Sequence, residues 1–120
     1  MKDKNSTLDK LLSEAIDGKI MGVRIGDHIQ TISERWGEPD AVGHVGRFII
    51  YHPVEFSLGD DDTVQLIYVE VPDDVVLKCE YIKDLSSCSI SADPEIVTAT
   101  IGCARLCIDR HSMRVLSFSN

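Results

Sequence analysis

No stretch of this chain approaches the ~18 consecutive apolar residues that a membrane-spanning helix needs, although 43% of its residues are apolar. The apolar residues come in short clusters, the pattern of a chain that buries a core. There is no Cys-x-x-Cys pair. Cys79, Cys88, Cys103 and Cys107 all fall in the second half, and no histidine stands at zinc-finger spacing from them. They read as reduced thiols acting as small hydrophobes. No two of His28, His44, His52 and His111 lie three or four residues apart, so there is no metal pair on a helix face. No Gly-Lys-Ser/Thr follows the glycines Gly43 and Gly46, which argues against a phosphate loop, and no Gly-x-Ser-x-Gly elbow is present. The turn Asp60-Asp61-Asp62 is not an EF-hand: its acids are consecutive rather than alternate, and the twelfth residue from Asp60 is Val71 instead of glutamate. The sequence therefore assigns no catalytic residue, no metal site and no cofactor, and it reads as a chain that is not an enzyme.

A positive excess is also missing. The formal net charge is −8. Arg24, Arg35 and Arg47 are scattered, and no basic aromatic strand of the RNA-recognition kind occurs. Such a field repels nucleic acid and anionic membranes. The opening residues, Met1 to Asp9, are polar, without the apolar stretch of a signal peptide or a lipid-attachment cysteine. The expected location is the cytoplasm.

What is present is acid, and it is concentrated. Of 20 acidic residues, eleven lie between Glu55 and Glu95, opposed there only by Lys78 and Lys83. The rest of the chain is close to neutral. A concentrated acidic surface attracts basic partners and accelerates their approach. Asp60, Asp61 and Asp62 at a turn, with Asp73 and Asp74 beyond the next strand, are the candidate partner-binding residues. The two clusters are expected at opposite ends of that strand.

With 120 residues, a single domain spanning 1–120 is expected. Leu8, Leu11, Leu12, Ala15 and Ile16 recur at helical spacing, with Ser6 as the expected cap and Gly18 as the stop. Lys19 to Gly26 reads as an extended lead-in. Asp27 is placed to cap a second helix, with Gln30 as its capping-box partner and Ile29, Ile32 and Trp36 on one face. That face predicts a buried Trp36. Gly37 and Pro39 end the helix, and Val42 to Gly46 reads as a loop. Arg47–Tyr51, Val54–Leu58 and Thr63–Val71 predict a three-stranded antiparallel meander interrupted at His52-Pro53. Asp73 to Leu85 fits a short helix, or a loop followed by a strand. Ser86 to Ala92 reads as a loop. Asp93-Pro94-Glu95, with proline at the first helical position, is a good helix start and predicts a short helix here, against the β-branched run Ile96 to Ile101 that follows. Arg105–Asp109 and Met113–Phe118 read as a closing hairpin. The expected fold is α+β: two N-terminal helices, then an antiparallel sheet of about five strands, with room for a short third helix.

The segment Val23-Arg24-Ile25-Gly26-Asp27-His28-Ile29-Gln30-Thr31-Ile32-Ser33-Glu34-Arg35-Trp36-Gly37-Glu38-Pro39, with the strands after it to Val71, resembles a bacterial layout of helix, Gly-x-Pro and strand. It is similar to the small outer-membrane-assembly lipoproteins of the BamE/SmpA kind. It is more similar to small cytoplasmic bacterial proteins with this layout, some of them immunity proteins of polymorphic toxin and contact-dependent inhibition systems. What the resemblance implies is an immunity-type protein that binds and neutralises a toxin, such as a basic nuclease. The alternatives are a regulatory or structural binding module, or a small enzyme or small-molecule binder with a site outside known motifs.

Overall fold

The computed structural model describes residues 4–43, 47–77, 89–90 and 95–120. Helix α1 runs over Lys4–Ile16. It buries Leu8, Leu11, Leu12 and Ala15, as the three-and-four spacing dictates. The helix begins before Ser6, so Ser6 lies within it and not at the expected cap position. Gly18 and Lys19 close the C-terminus by donating N–H bonds to the carbonyls of Ala15 and Glu14.

The next segment is a turn and not the expected extended lead-in. Ile20 and Val23 exchange two backbone hydrogen bonds of 2.9 Å across Met21 (φ 55°) and Gly22 (φ 76°). Two left-handed residues between paired neighbours make the tight hairpin turn that matches strand twist. Ile20 and Val23 are fully buried and pin this turn to the core. Helix α2, Ile29–Trp36, is capped by His28 in place of Asp27: the His28 ring accepts the Gln30 N–H. Asp27 is committed elsewhere. Its carboxylate accepts the Arg24 N–H at 2.9 Å, and its carbonyl accepts the Val64 N–H at 2.8 Å.

The strands are β1 (Ala41–Gly43), β2 (Phe48–Tyr51), β3 (Val54–Leu58), β4 (Val64–Glu70), β5 (Ser89–Ile90), β6 (Ile96–Ile101), β7 (Ala104–Asp109) and β8 (Val115–Ser119). They form one antiparallel sheet in the order β1-β2-β3-β4-β8-β7-β6-β5. The expected meander is there as β2, β3 and β4, and β4 lies between β3 and β8 at the centre of the sheet. The closing hairpin is there as β7 and β8. The sheet is larger than five strands because part of the expected loop after Pro39 is β1, and because Ser89–Ile90 pairs with β6. After Glu95 the β-branched run wins: Ile96–Ile101 is a strand, not a helix. The parts of the Asp73–Leu85 and Ser86–Ala92 readings beyond 77, apart from 89–90, lie outside the described residues, as do Cys79, Cys88 and His44.

The strand order has a consequence that is invisible along the chain. β1 to β4 and β5 to β8 are two four-stranded meanders, joined through their last strands. Each has its register shift at the same step, Ser57/Leu58 in the first and Cys107/Ile108 in the second. Each follows it with a turn holding one left-handed non-glycine residue, Asp62 (φ 59°) or Met113 (φ 63°). In each turn an aspartate side chain accepts backbone N–H groups: Asp61 from Thr63, and Asp109 from His111 and Ser112. The two meanders thus share their strand order, the step of their register shift and the chemistry of the turn that follows it. Because β4 and β8 run antiparallel, their two equivalent turns lie at opposite ends of the sheet.

One face of the sheet carries the core. The alternating residues Val54, Phe56 and Leu58 of β3, Ile67 and Val69 of β4, Leu106 and Ile108 of β7, and Phe118 of β8 are buried with α1, Ile20, Val23 and Ile32 in one cluster. Val75 and Leu77 extend it beyond β4.

Candidate functional site

The five aspartates singled out from the sequence all lie at the surface. Asp60 to Asp62 precede β4, and Asp73 and Asp74 follow it. β4 has 7 residues, which at ~3.4 Å per residue separates the clusters by more than ~20 Å. They do not form one patch. The first cluster is held in shape by its own bonds. Asp61 Oδ1 accepts the Thr63 hydroxyl at 2.6 Å and the Thr63 N–H at 3.3 Å. The hydroxyl bond, and then the N–H, hold the Asp61 carboxyl below the usual carboxylate range. Asp62 accepts the Ile29 N–H on its carbonyl at 2.9 Å, which ties the turn to the start of α2. Asp60 meets Arg47 at 2.8 Å, with 98% of its side chain exposed. Such an exposed pair adds little stability, and it partly offsets the local charge. At the other end, Arg114 donates to the carbonyls of Pro72 at 2.8 Å and Asp73 at 2.6 Å, so a guanidinium underlies the second cluster.

Sequence reasoning missed a second feature. A cleft of about 780 Å³ opens where α1, the Met21–Gly22 turn, the end of α2 and the β2–β3 hairpin meet. Leu11, Met21, Pro53, Val54 and Trp36 supply its apolar surface, and Lys10, Glu14, Asp40 and His52 stand around it. Trp36 is 44% exposed, which corrects the expectation that it is core. The reason is its position. It is the last residue of an 8-residue helix whose buried residue is Ile32. The indole thus reaches past the core and bonds with its N–H to the Met21 carbonyl at 2.9 Å. Arg35 donates to the Gly22 carbonyl at 2.7 Å, so the end of α2 fastens the turn at two points. On the far wall, the Tyr51 hydroxyl donates to the Gly37 carbonyl at 2.7 Å, and its ring meets Phe56 edge-on. Burial, and next the Asp40 charge, raise the Tyr51 phenol above its ordinary value. Asp40 Oδ2 accepts the His52 N–H at 2.8 Å, which fixes the hairpin against the strand entry. These residues come from four separate segments, so no local motif announced the cleft.

Because its ring is half exposed, Trp36→Ala should cost about 1–2 kcal/mol, less than the ~3–5 kcal/mol of a fully buried aromatic. Urea unfolding of the variant checks this, and a loss in the larger range would return Trp36 to the core.

Among the described residues no three His, Cys, Asp or Glu side chains gather as a metal-holding group. No described helix is long and apolar enough to cross a membrane. Cys103 is an exposed free thiol and Cys107 a half-buried one.

No family model matches the chain, and no curated protein matches it in sequence. A solved structure with this fold is the crystal structure of a DUF4309 family protein, YjgB, from Bacillus subtilis subsp. subtilis str. 168. The two share 16% sequence identity at a TM-score of 0.55, over 96% of this chain and 95% of that one. At that identity the likeness is one of fold.

Proposed function

We propose that this protein is an immunity-type binding module that neutralises a basic toxin domain by covering its surface. The observation that carries the reading is the Asp60–Asp62 turn: exposed, charged, and held rigid by Thr63 and the start of α2. A preformed cluster of charge loses little conformational freedom on binding. Added to a net charge of −8, it steers a basic partner toward one end of the sheet. Nuclease domains that grip phosphate are basic and present such a target. The resemblance of Val23–Val71 to immunity proteins supports the same class, with action in the cytoplasm and no chemistry of the protein's own.

The test is kinetic. Replacing Asp60, Asp61 and Asp62 together by asparagine should leave stability nearly unchanged, because an asparagine at 61 can still accept the Thr63 bonds. Association with the partner, captured from the native strain and purified, should slow about 3–10-fold at low salt and become less sensitive to salt. Stopped-flow association at two ionic strengths reads both effects. A triple variant that associates at the wild-type rate at low salt would make the turn a solubilising loop and shift the contact to the Asp73–Asp74 end.

A further inference from the structure

We infer that the Trp36 cleft is an anchor pocket for an arginine side chain of the partner. This rests on the reading above that the partner is basic. It adds a defined point of contact that the acidic turn does not provide.

The cleft offers each part of an arginine its complement. The aliphatic stem needs an apolar wall, which Leu11, Met21 and Val54 supply. The planar guanidinium needs an aromatic ring to stack on, and Trp36, 44% exposed, lines the cleft. Its N–H is already bound to Met21, so the ring is held in place before a guest arrives. The positive charge needs carboxylates, and Glu14 and Asp40 face the same space. Asp40 spends one acceptor position on the His52 N–H, out of about four that a carboxylate has. Its field is felt inside the cleft, since it raises the neighbouring Tyr51 phenol. Glu14 is half buried against this apolar wall. Among the described residues the ion pairs are Arg47–Asp60 and His111–Glu95, so Glu14 is in neither. A carboxylate half withdrawn from water without a cation gains most from one that comes with the ligand.

The opposing charges are the Arg35 guanidinium, committed to the Gly22 carbonyl at the edge of the cleft, and Lys10, exposed at the rim one helical turn before Glu14. A lysine preceding a glutamate by four residues is the weaker orientation of that pair, so it does not satisfy Glu14 well. It does repel an entering guanidinium. The pocket therefore makes opposite demands of two neighbours on α1: removing the Glu14 charge weakens a cationic guest, and removing the Lys10 charge strengthens it. A purely apolar pocket would respond to neither.

The chain has 1 tryptophan, so the Trp36 indole N–H gives a single NMR signal from the pocket itself. The full-length protein is titrated with N-acetyl-arginine methylamide, with its neutral isostere N-acetyl-citrulline methylamide, and with N-acetyl-norleucine methylamide. The arginine probe should shift the indole signal saturably at millimolar concentration. The citrulline and norleucine probes should bind about tenfold more weakly. Glu14→Gln should lose about the same factor, and Lys10→Gln should gain a few-fold. Both side chains lie at the cleft surface, and amide spectra of the variants verify that the fold persists. Citrulline or norleucine binding as tightly as arginine, an unaltered affinity in Glu14→Gln, or no saturable shift would each overturn the assignment. The probes need no partner. A failed titration beside a slowed Asp60–Asp62 variant removes the pocket and keeps the steering turn, and the reverse pair of results removes the turn and keeps the pocket.

Discussion

Replacing Phe118 by alanine should lower the thermal midpoint by about 10–20 °C. Phe118 is 1% exposed. It sits on β8 opposite Val69 of β4 on one side and Leu106 of β7 on the other. The row Val69, Phe118, Leu106 and Ala99 crosses the junction between the two four-stranded units, and all four are buried. The pairing that makes this junction is short: Tyr68 with Ser119, Val69 with Phe118 and Glu70 with Ser117. It is flanked by two further backbone bonds of 3.0 Å, from the Asn120 N–H to the Ile67 carbonyl and from the Val71 N–H to the Leu116 carbonyl, and the buried side-chain row packs across the same step. Truncation should cost about 3–5 kcal/mol, a large share of the ~5–15 kcal/mol of an ordinary domain. Phe118→Leu, which keeps most of the volume, should lose only about 1 kcal/mol. Calorimetry of both variants makes the check. An alanine variant that melts with wild type would show that the units are held by something other than this row.

Gly102→Ala should cost about 2–4 kcal/mol although it adds one methyl group at an exposed position. Gly102 sits in the β6–β7 turn with φ +55°, and a Cβ there would lie 2.6 Å from the Ile16 carbonyl oxygen. That oxygen cannot retreat freely, because it accepts the Cys103 N–H at 3.0 Å at the end of α1. The left-handed backbone costs about 1–2 kcal/mol for a residue with a Cβ, and easing the clash weakens the Cys103 N–H bond that ties the end of α1 to the β6–β7 turn. Gly26 provides the control. It too has positive φ, but a Cβ there would meet nothing within 4 Å, so Gly26→Ala should show the backbone cost alone. Equal losses in the two variants, measured by urea unfolding, would show that the Ile16 contact contributes nothing.

Where an element's identity rests on neighbours along the chain, the sequence was readable. The α1 stripe, the alternation of Val54–Leu58, the β3–β4 turn and the closing hairpin all follow from period and turn chemistry over a few residues. The errors fall where a distant residue decides. Asp27 looked like a cap, but its carbonyl is engaged by Val64, and His28 takes the capping role. Asp93-Pro94-Glu95 looked like a helix start, yet Ile96–Ile101 finds β7 as an antiparallel partner over its whole length, and such pairing outweighs a local start signal. Ala41–Gly43 became a strand only because β2 lies beside it. Trp36 carried the right spacing for a core residue, but spacing says which face of α2 it shares, not how far the core extends beneath that face.

From its residues alone this chain was determined to be an α+β domain with an amphipathic first helix, an antiparallel sheet and an acidic middle third, because periodicity, turn residues and charge are properties of short segments. The tertiary structure alone decided the order of the strands in the sheet of the described residues, the joining of two four-stranded meanders through their last strands, and the cleft. Each of these depends on which distant segments become neighbours. That is settled by burying many side chains at once, and no short segment carries a record of it.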